Sequence, residues 1–392
     1  MKILINAGFG PSLANFRAPL IRALIGDGIN VVAVAPDDSG STEKEMCALG
    51  ARYIPSHLRR ARLGILADIR YMLELTRIIR DEKPDIIFSY SVKASIYGSM
   101  AAKLAGVRRV FCLISGLGYS FSGGKGLKKT ILRKTVGTLM KVAFWCCRGV
   151  FFQNPDDVAD LRAMGVIGRE VVVHVVNGSG VDRKQFSEQP LPKPVDGKIV
   201  FLLIARLIND KGVCEFVEAI RQLKDRCPVR GVLVAPPDDN PAAISIEQAR
   251  KWQADGIVEY VEWAKDVRPF LRDCHVFVLP STYREGVPRT ILEALAVGRP
   301  VITTDSPGCR ETIKLTARGR QQRESGAMVM EGENGLLLRA RNVDAVAAAI
   351  EQLALDPGLI EQMSRNSLEL ARNKYDVNIV NKSMLDVILE RH

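Results

Sequence analysis

The feature that most constrains this chain is the regular return of short apolar runs separated by helical patterns. KILIN, NVVAVAP, ARYIP, DIIFSYS and RVFCLIS succeed one another between residues 2 and 115. Each is apolar almost without a break, as expected of strands buried on both faces of a parallel sheet. The stretches between them read as helices, such as TEKEMCAL, LADIRYMLELTRIIRDEKP closed by Pro84, and Lys93 to Ala105. The alternation restarts with IVFLLI, GVLVAP, IVEYVEW, VFVLP and the strand Pro300 to Thr304. The expected fold is therefore α/β, with a doubly wound sheet in each half.

At 392 residues the chain is long for one compact core and fits two domains. QPLPKPVDG at 189–197 is proline-rich and has no periodicity, so it reads as a linker. The first domain is expected over 1–188 and the second over 198–373, with a last helical segment in 374–392. KLTARGRQQRESGAMVM, leading to residue 330, is polar and reads as an inserted surface loop over 314–330.

Hydrophobic residues make up 47% and charged residues 25%, the balance of a soluble globular protein. No apolar run reaches the length of a membrane span and the first strand begins at once, so a cytoplasmic protein is expected. The eight cysteines include no C-x-x-C pair, which favours reduced thiols over zinc ligands. D-x-D is absent as well, so no metal and no cofactor are expected.

The net charge of +11 is concentrated. No Asp or Glu occurs from Ile86 to Pro155, while eleven Lys and Arg do, enough to account for the whole excess. Such a surface suits anionic lipid or diphosphate. Nucleic acid is not expected, because the aromatics do not interleave with the cations as a stacking platform requires. From Leu127 to Arg148 a helical wheel sets Leu127, Ile131, Leu132, Val136, Leu139, Val142, Ala143 and Trp145 on one half and Lys129, Arg133, Lys134, Lys141 and Arg148 on the other. That helix either covers the sheet with its charges in water or lies on a membrane surface.

Two stretches carry the chemistry of the second half. After IVFLLI, Arg206 and Lys211 sit in a loop and Gly212 opens a helix, so guanidinium, ammonium and free amides can converge on a diphosphate. After VFVL, Glu285 lies in a loop and Glu293 within the helix begun at Thr290; Gly286 lets backbone approach a ligand and Pro288 fixes the entry to the helix. Loops after the carboxyl ends of parallel strands line the ligand crevice of such sheets. In the first half, Gly8 and Gly10 follow KILIN without completing G-x-G-x-x-G, and Asn15 can cap the next helix. ISGLGYSFSGG holds four glycines in eleven residues and reads as a functional loop.

The strings E-G-x-P-R-x-x-L-E, then G-x-P-V and P-G-C-R-E, with R-L-x-x-D-K-G ahead of them, resemble the signature of glycosyltransferase family 4. The resemblance extends over nearly the whole chain. It implies the GT-B architecture, two doubly wound Rossmann-like domains facing a cleft, with the C-terminal helix returning to the first. It further implies retention of anomeric configuration without a metal, and a nucleotide sugar, most simply a UDP sugar, as donor. Arg206, Lys211 and Glu285 would be catalytic. Gly286, Val287, Pro288, Arg289 and Glu293 would bind the donor together with Gly8, Gly10 and Asn15, Glu285 meeting sugar hydroxyls and Glu293 the ribose.

N-F-R and S-G-L-G-Y-x-F resemble loops of the bacterial branch that builds lipid-linked sugars. On that footing Arg17, Lys93, Ser115, Gly116 and Tyr119 would bind an undecaprenyl-diphosphate-linked saccharide, at the inner face of an anionic membrane. Relatives often carry His or Thr before the Lys, where this chain has SYSVK. Two other readings stand beside this one: a non-hydrolysing nucleotide-sugar epimerase of the same fold, and a non-enzymatic nucleotide-sugar sensor. The R-L-x-x-D-K-G and E-G-x-P-R strings speak against the epimerase.

Overall fold

The computed structural model describes residues 1–36, 40–58, 64–118, 120–121, 126–194, 196–239 and 242–391. The chain divides into two compact units, Met1–Ser179 with Val377–His392, and Gly180–Asp376.

In the first unit the order is β1 (Lys2–Ala7), α1 (Ala18–Gly26), β2 (Asn30–Ala35), α2 (Ser41–Ala48), β3 (Arg52–Pro55), α3 (Ile65–Glu82), β4 (Ile86–Tyr90), α4 (Val92–Leu104), β5 (Arg109–Ile114), α5 (Leu127–Trp145), β6 (Gly149–Phe152), α6 (Pro155–Ala163) and β7 (Val173–Val175). These strands make one sheet ordered β3-β2-β1-β4-β5-β6-β7. All its pairings are parallel, with Ile3 beside Val31 on one side and Ile86 on the other. Successive side chains of a strand point to opposite faces. Leu4 thus enters the core beneath α3, α4 and α5, while Ile3 and Ile5 enter the one beneath α1.

The second unit repeats the plan with β8 (Ile199–Ile204), α7 (Val213–Leu223), β9 (Val229–Val234), α8 (Ile246–Ala254), β10 (Val258–Val261), α9 (Arg268–Asp273), β11 (Val276–Leu279), α10 (Arg289–Val297), β12 (Val301–Thr304), α11 (Ala317–Ser325), β13 (Val329–Glu331), β14 (Gly335–Leu338), α12 (Val343–Leu355) and α13 (Pro357–Asn373). Its sheet runs β10-β9-β8-β11-β12-β14-β13, and of these strands β13 alone pairs antiparallel. Along β8, Phe201 and Leu203 face one core and Leu202 and Ile204 the other. A final helix, α14 (Val377–Ile388), packs Val380, Met384, Leu385 and Ile388 into the first unit's core.

Three expectations need correction. The stretch 189–197 is not a free crossover, because the second unit already begins at Gly180. Val181 and Phe186 are in its core, and the buried Arg299 donates to the carbonyls of Gln189 (3.2 Å) and Pro190 (2.9 Å). Nothing periodic marks a segment held by its carbonyls, which is why the sequence pattern hides it. The 314–330 insertion is not a loop either. Thr316 caps α11 by accepting from Gly319 N at 2.9 Å, and a Cβ at Gly319 would stand 1.8 Å from Glu331 O, so the glycine lets the helix lie directly on β13. Lastly, Asn15 does not cap α1: it lies inside a π-helical turn, Leu13–Arg17, and Arg17 holds the cap position.

Candidate active site

In both sheets the first strand is flanked by the second and the fourth, so the chain reverses its winding direction there. Ligands of open parallel sheets bind outside the carboxyl ends at such a point. In the second unit the point lies between β8 and β11, and the loops that follow these two strands carry Arg206, Lys211 and Glu285.

Glycines bring the loops together. Gly212 has φ 77°, and a Cβ there would stand 2.4 Å from Pro280 O, so the end of the β8 loop presses on the start of the β11 loop. Asp210 O then accepts from Thr282 N (2.9 Å) and Tyr283 N (3.2 Å). Gly308, at φ 80°, does the same for the β12 loop, its missing Cβ leaving room for Gly286 O, which would otherwise be 1.7 Å away.

The side chains form two ion pairs about one aromatic ring. Lys211 is buried and its Nζ donates to Glu285 Oε1, with Ser281 Oγ 3.4 Å from the same oxygen. Arg206 Nη1 donates to Asp238 Oδ2 at 2.8 Å. The Tyr283 ring centroid lies 5.1 Å from the Arg206 guanidinium carbon and 5.4 Å from Lys211 Nζ, within cation–π range. Burial works against the Arg206 charge, yet hydrogen bonds to Asp238 and Tyr283 hold its pKa above the ordinary value.

Pro288 occupies the cap position of α10, as its place in the string suggests. Arg289 Nε binds Glu293 Oε1 at 3.0 Å, one turn along, and its Nη1 donates to Gly180 O at 3.0 Å. Burial raises the pKa of the Glu293 carboxyl, more than the Arg289 charge and hydrogen bond lower it. Gly286 is buried between its neighbours, and the Val287 side chain belongs to the core.

The first unit has its own reversal point, between β1 and β4. A Cβ on Gly8 would stand 2.4 Å from Ser91 Oγ, and one on Gly10 would stand 2.5 Å from Pro36 O, so both glycines serve close approach of neighbouring loops. Arg17 is 2% exposed, its guanidinium 5.1 Å from the centroid of the Tyr90 ring, while Asn15 is exposed. Lys93 Nζ donates to Asp68 Oδ1 at 2.7 Å, and Tyr97 OH to Asp68 Oδ2 at 3.1 Å. Ser91, between Tyr90 and α4, has φ 74° and ψ 154°, a region sparsely populated except by glycine. Ser115 is half-buried and Gly116 adopts φ 113° after β5. Tyr119 lies outside the described residues.

Of the expected residues, Arg206, Lys211 and Glu285 meet about Tyr283 and Arg289 pairs with Glu293, while in the first unit Gly8 lies against Ser91 and Arg17 beside Tyr90. Sequence reasoning missed Asp238, Ser281 and Tyr283. Asp238 sits in PPDDN, a plain polar turn by composition, whereas an aromatic two positions before Glu285 was a usable signal. Among the described residues no three His, Cys, Asp or Glu side chains group as metal ligands, and no helix is long and apolar enough to cross a membrane.

Comparison with known proteins agrees with this geometry. Residues 14–178 match the family model "Glycosyl transferase 4-like domain", and residues 198–356 match "Glycosyl transferases group 1". The N,N'-diacetylbacillosaminyl-diphospho-undecaprenol alpha-1,3-N-acetylgalactosaminyltransferase of Campylobacter jejuni is 29% identical, over 97% of this chain and 96% of its own. The UDP-Gal:alpha-D-GlcNAc-diphosphoundecaprenol alpha-1,3-galactosyltransferase of Escherichia coli is 23% identical, over 83% and 80%. Among solved structures, Anabaena HepE in complex with UDP-glucose shares the fold with a TM-score of 0.74 at 17% identity, over the full length of both chains. With one family model on each of its two doubly wound units, the chain belongs to the group 1, GT4-like glycosyltransferases of GT-B fold.

Proposed function

We propose that the protein moves a hexose or N-acetylhexosamine from a UDP sugar to a saccharide carried on undecaprenyl diphosphate, with retention and without a metal, during surface-glycan synthesis. The observation that carries this reading is the pair of cations at the β8–β11 reversal point, Arg206 and Lys211, set about Tyr283 with Glu285 against Lys211. Lipid-diphosphate acceptors are supported by the two relatives, both named for them. Both names also specify alpha-1,3 products. A UDP hexose carries its nucleotide on the α face, so an α product requires retention.

The chemistry follows from charge. The bond from the anomeric carbon to the β-phosphate oxygen breaks, and the acceptor oxygen bonds that carbon from the same face. The acceptor's proton passes to the departing phosphate oxygen, and UDP leaves. Negative charge grows on the diphosphate as the bond breaks, and fixed cations stabilise it more in the transition state than before it. Arg206 and Lys211 supply them, in the place a divalent ion would take. Glu285, freed from Lys211, is then available to sugar hydroxyls, and Glu293 to the ribose. Arg17, Lys93, Ser115, Gly116 and Tyr119 are assigned to the acceptor, and Gly8, Gly10 and Asn15 to the donor. The reaction is placed at the inner face of an anionic membrane, where such acceptors are held.

The test is to incubate the protein with a panel of UDP sugars and polyprenyl-diphosphate saccharides, with and without EDTA. The glycosylated product is read by mass spectrometry and its anomeric configuration by NMR. A glycosylated lipid of α configuration together with free UDP is expected, unchanged by EDTA. Epimerised UDP sugar without transfer would make the protein an epimerase, and tight UDP-sugar binding without turnover would make it a sensor.

A further inference from the structure

We propose that the amino-terminal turns of α3 and α5 form a bilayer-docking surface beside Lys93, one that inserts apolar side chains among anionic headgroups and does more than adhere by charge. The reading above supplies the reason a bilayer should be present, and the surface itself is argued from position, exposure and charge.

Position comes from topology. α3 leads directly into β4 and α5 into β6, both strands of one parallel sheet, so each helix runs back from the carboxyl edge and begins there. Ser91 and Lys93 follow β4 at that same edge, and α4 packs against α3 on one side and α5 on the other. The starts of α3 and α5 therefore flank the start of α4.

Both starts expose apolar side chains. On α3 the core takes Tyr71, Leu75 and Ile79, yet Leu66 (85% exposed), Ile69 and Leu73 (58%) form a second stripe at spacings of three and four, facing water. On α5 the fully buried core residues, Val136, Met140, Ala143 and Phe144, all come from its later turns; in the first two turns Leu132 is only partly buried against that core, and Leu127 (78%) and Ile131 (55%) are exposed. This revises the single apolar half-wheel expected of α5, because Leu127, Ile131, Val142 and Trp145 do not join Val136 and Ala143 in the core. Scattered exposed leucines are ordinary on soluble proteins. Two apolar helix starts along one edge are a different matter.

The charges around them have one sign. Arg70 on α3 and Lys128, Arg133 and Lys134 on α5 are exposed, and no acid occurs from Ile86 to Pro155. Of the acids on α3, Asp68 is buried with Lys93, Glu74 binds His57 at 2.8 Å, and Asp81 and Glu82 lie at the far end of the helix. A second copy presenting this same patch would meet it with like charge, whereas an anionic bilayer complements it. Exposed apolar residues ringed by Lys and Arg are what interfacial helices present to such a surface.

The test is co-sedimentation, without donor or acceptor, with phosphatidylcholine vesicles that contain or lack phosphatidylglycerol. The native protein should pellet with the anionic vesicles and stay free of the neutral ones. Changing Arg70, Lys128, Arg133 and Lys134 together to Gln should weaken binding on the order of several hundredfold, since each surface cation contributes roughly a fivefold factor. Changing Leu66, Leu73, Leu127 and Ile131 together to Ser should leave binding at low salt but lose it at a salt concentration that still holds the native protein. All eight positions are exposed, and unchanged thermal melts establish that both variants fold. No binding by the native protein, equal binding to neutral vesicles, or a Ser variant with native salt resistance would each overturn the proposal. Turnover of a short-chain, water-soluble acceptor separates the two readings. The Ser variant should retain it, and its absence in the native protein would count against the transferase reading while leaving the vesicle result intact.

Discussion

Asp238 and Glu285 each hold one of the two cations proposed to meet the diphosphate, Arg206 and Lys211, and the consequence is specific to each residue. A diphosphate arriving at Arg206 competes with the Asp238 carboxylate 2.8 Å away. Asp238→Asn should therefore tighten UDP binding severalfold, about 1 kcal/mol for a part-exposed pair, and calorimetry that shows weaker binding would mean that Asp238 positions Arg206 instead. Arg206→Ala and Lys211→Ala should each lower turnover by about a hundredfold or more, because they meet charge that grows in the transition state. Near-native rates in a folded variant would remove them from the mechanism. Glu293 gives a pH prediction. Burial raises its pKa above the ordinary 4.5, so the folded state binds its proton more tightly than the unfolded chain does. Its contribution to stability is whole below the ordinary value and is lost as pH rises through the raised one. Glu293→Gln should melt higher than the native protein at neutral pH and converge with it at acid pH, while binding UDP more weakly. A variant that melts lower at neutral pH would show that the ion pair with Arg289 outweighs burial.

Among the elements, the strands and their order of appearance were legible because unbroken apolar runs have few alternatives, and the loops after β8 and β11 because their charged residues stand at strand ends. What was not legible depends on close backbone approach or on carbonyls. α11 is nearly all polar and shows no apolar face to read; it is held by a cap at Thr316 and by Gly319 lying on Glu331 O. Asp238 comes to Arg206 only because β9 lies beside β8. The β12 loop offers a clean check on such contacts. Gly308→Ala adds a Cβ 1.7 Å from Gly286 O at a φ of 80°, so both clash and backbone strain oppose it. A loss of about 2 kcal/mol or more is expected, with activity falling further than stability because the displaced backbone carries Glu285. Wild-type turnover in Gly308→Ala would show that the loop contact plays no part in placing that carboxylate.

At the scale of the whole molecule, the chain enters and leaves the second unit side by side. Val181 N donates to Tyr375 O at 2.8 Å, and Arg183 Nη1 pairs with Asp376 Oδ2 at 3.3 Å. A compact unit whose ends meet can be excised without cutting its sheet. The fragment 180–376 should fold cooperatively and bind UDP, since Arg206, Lys211, Asp238, Tyr283, Glu285 and Glu293 all lie within it. A fragment beginning at residue 198, where the proline-rich stretch ends, should fare worse for stated reasons. It loses Val181 and Phe186 from the core, and it leaves buried Arg299 with the carbonyls of Leu271 and Arg272 but without those of Gln189 and Pro190. Removal of one buried phenylalanine alone costs on the order of 3–5 kcal/mol, so the shorter fragment should melt many degrees lower or fail to accumulate as a folded protein. Equal melting temperatures for the two fragments would show that 180–197, with the expected linker 189–197 inside it, adds nothing to the second unit's fold. A 180–376 fragment without a cooperative transition would mean that the second unit does not fold alone.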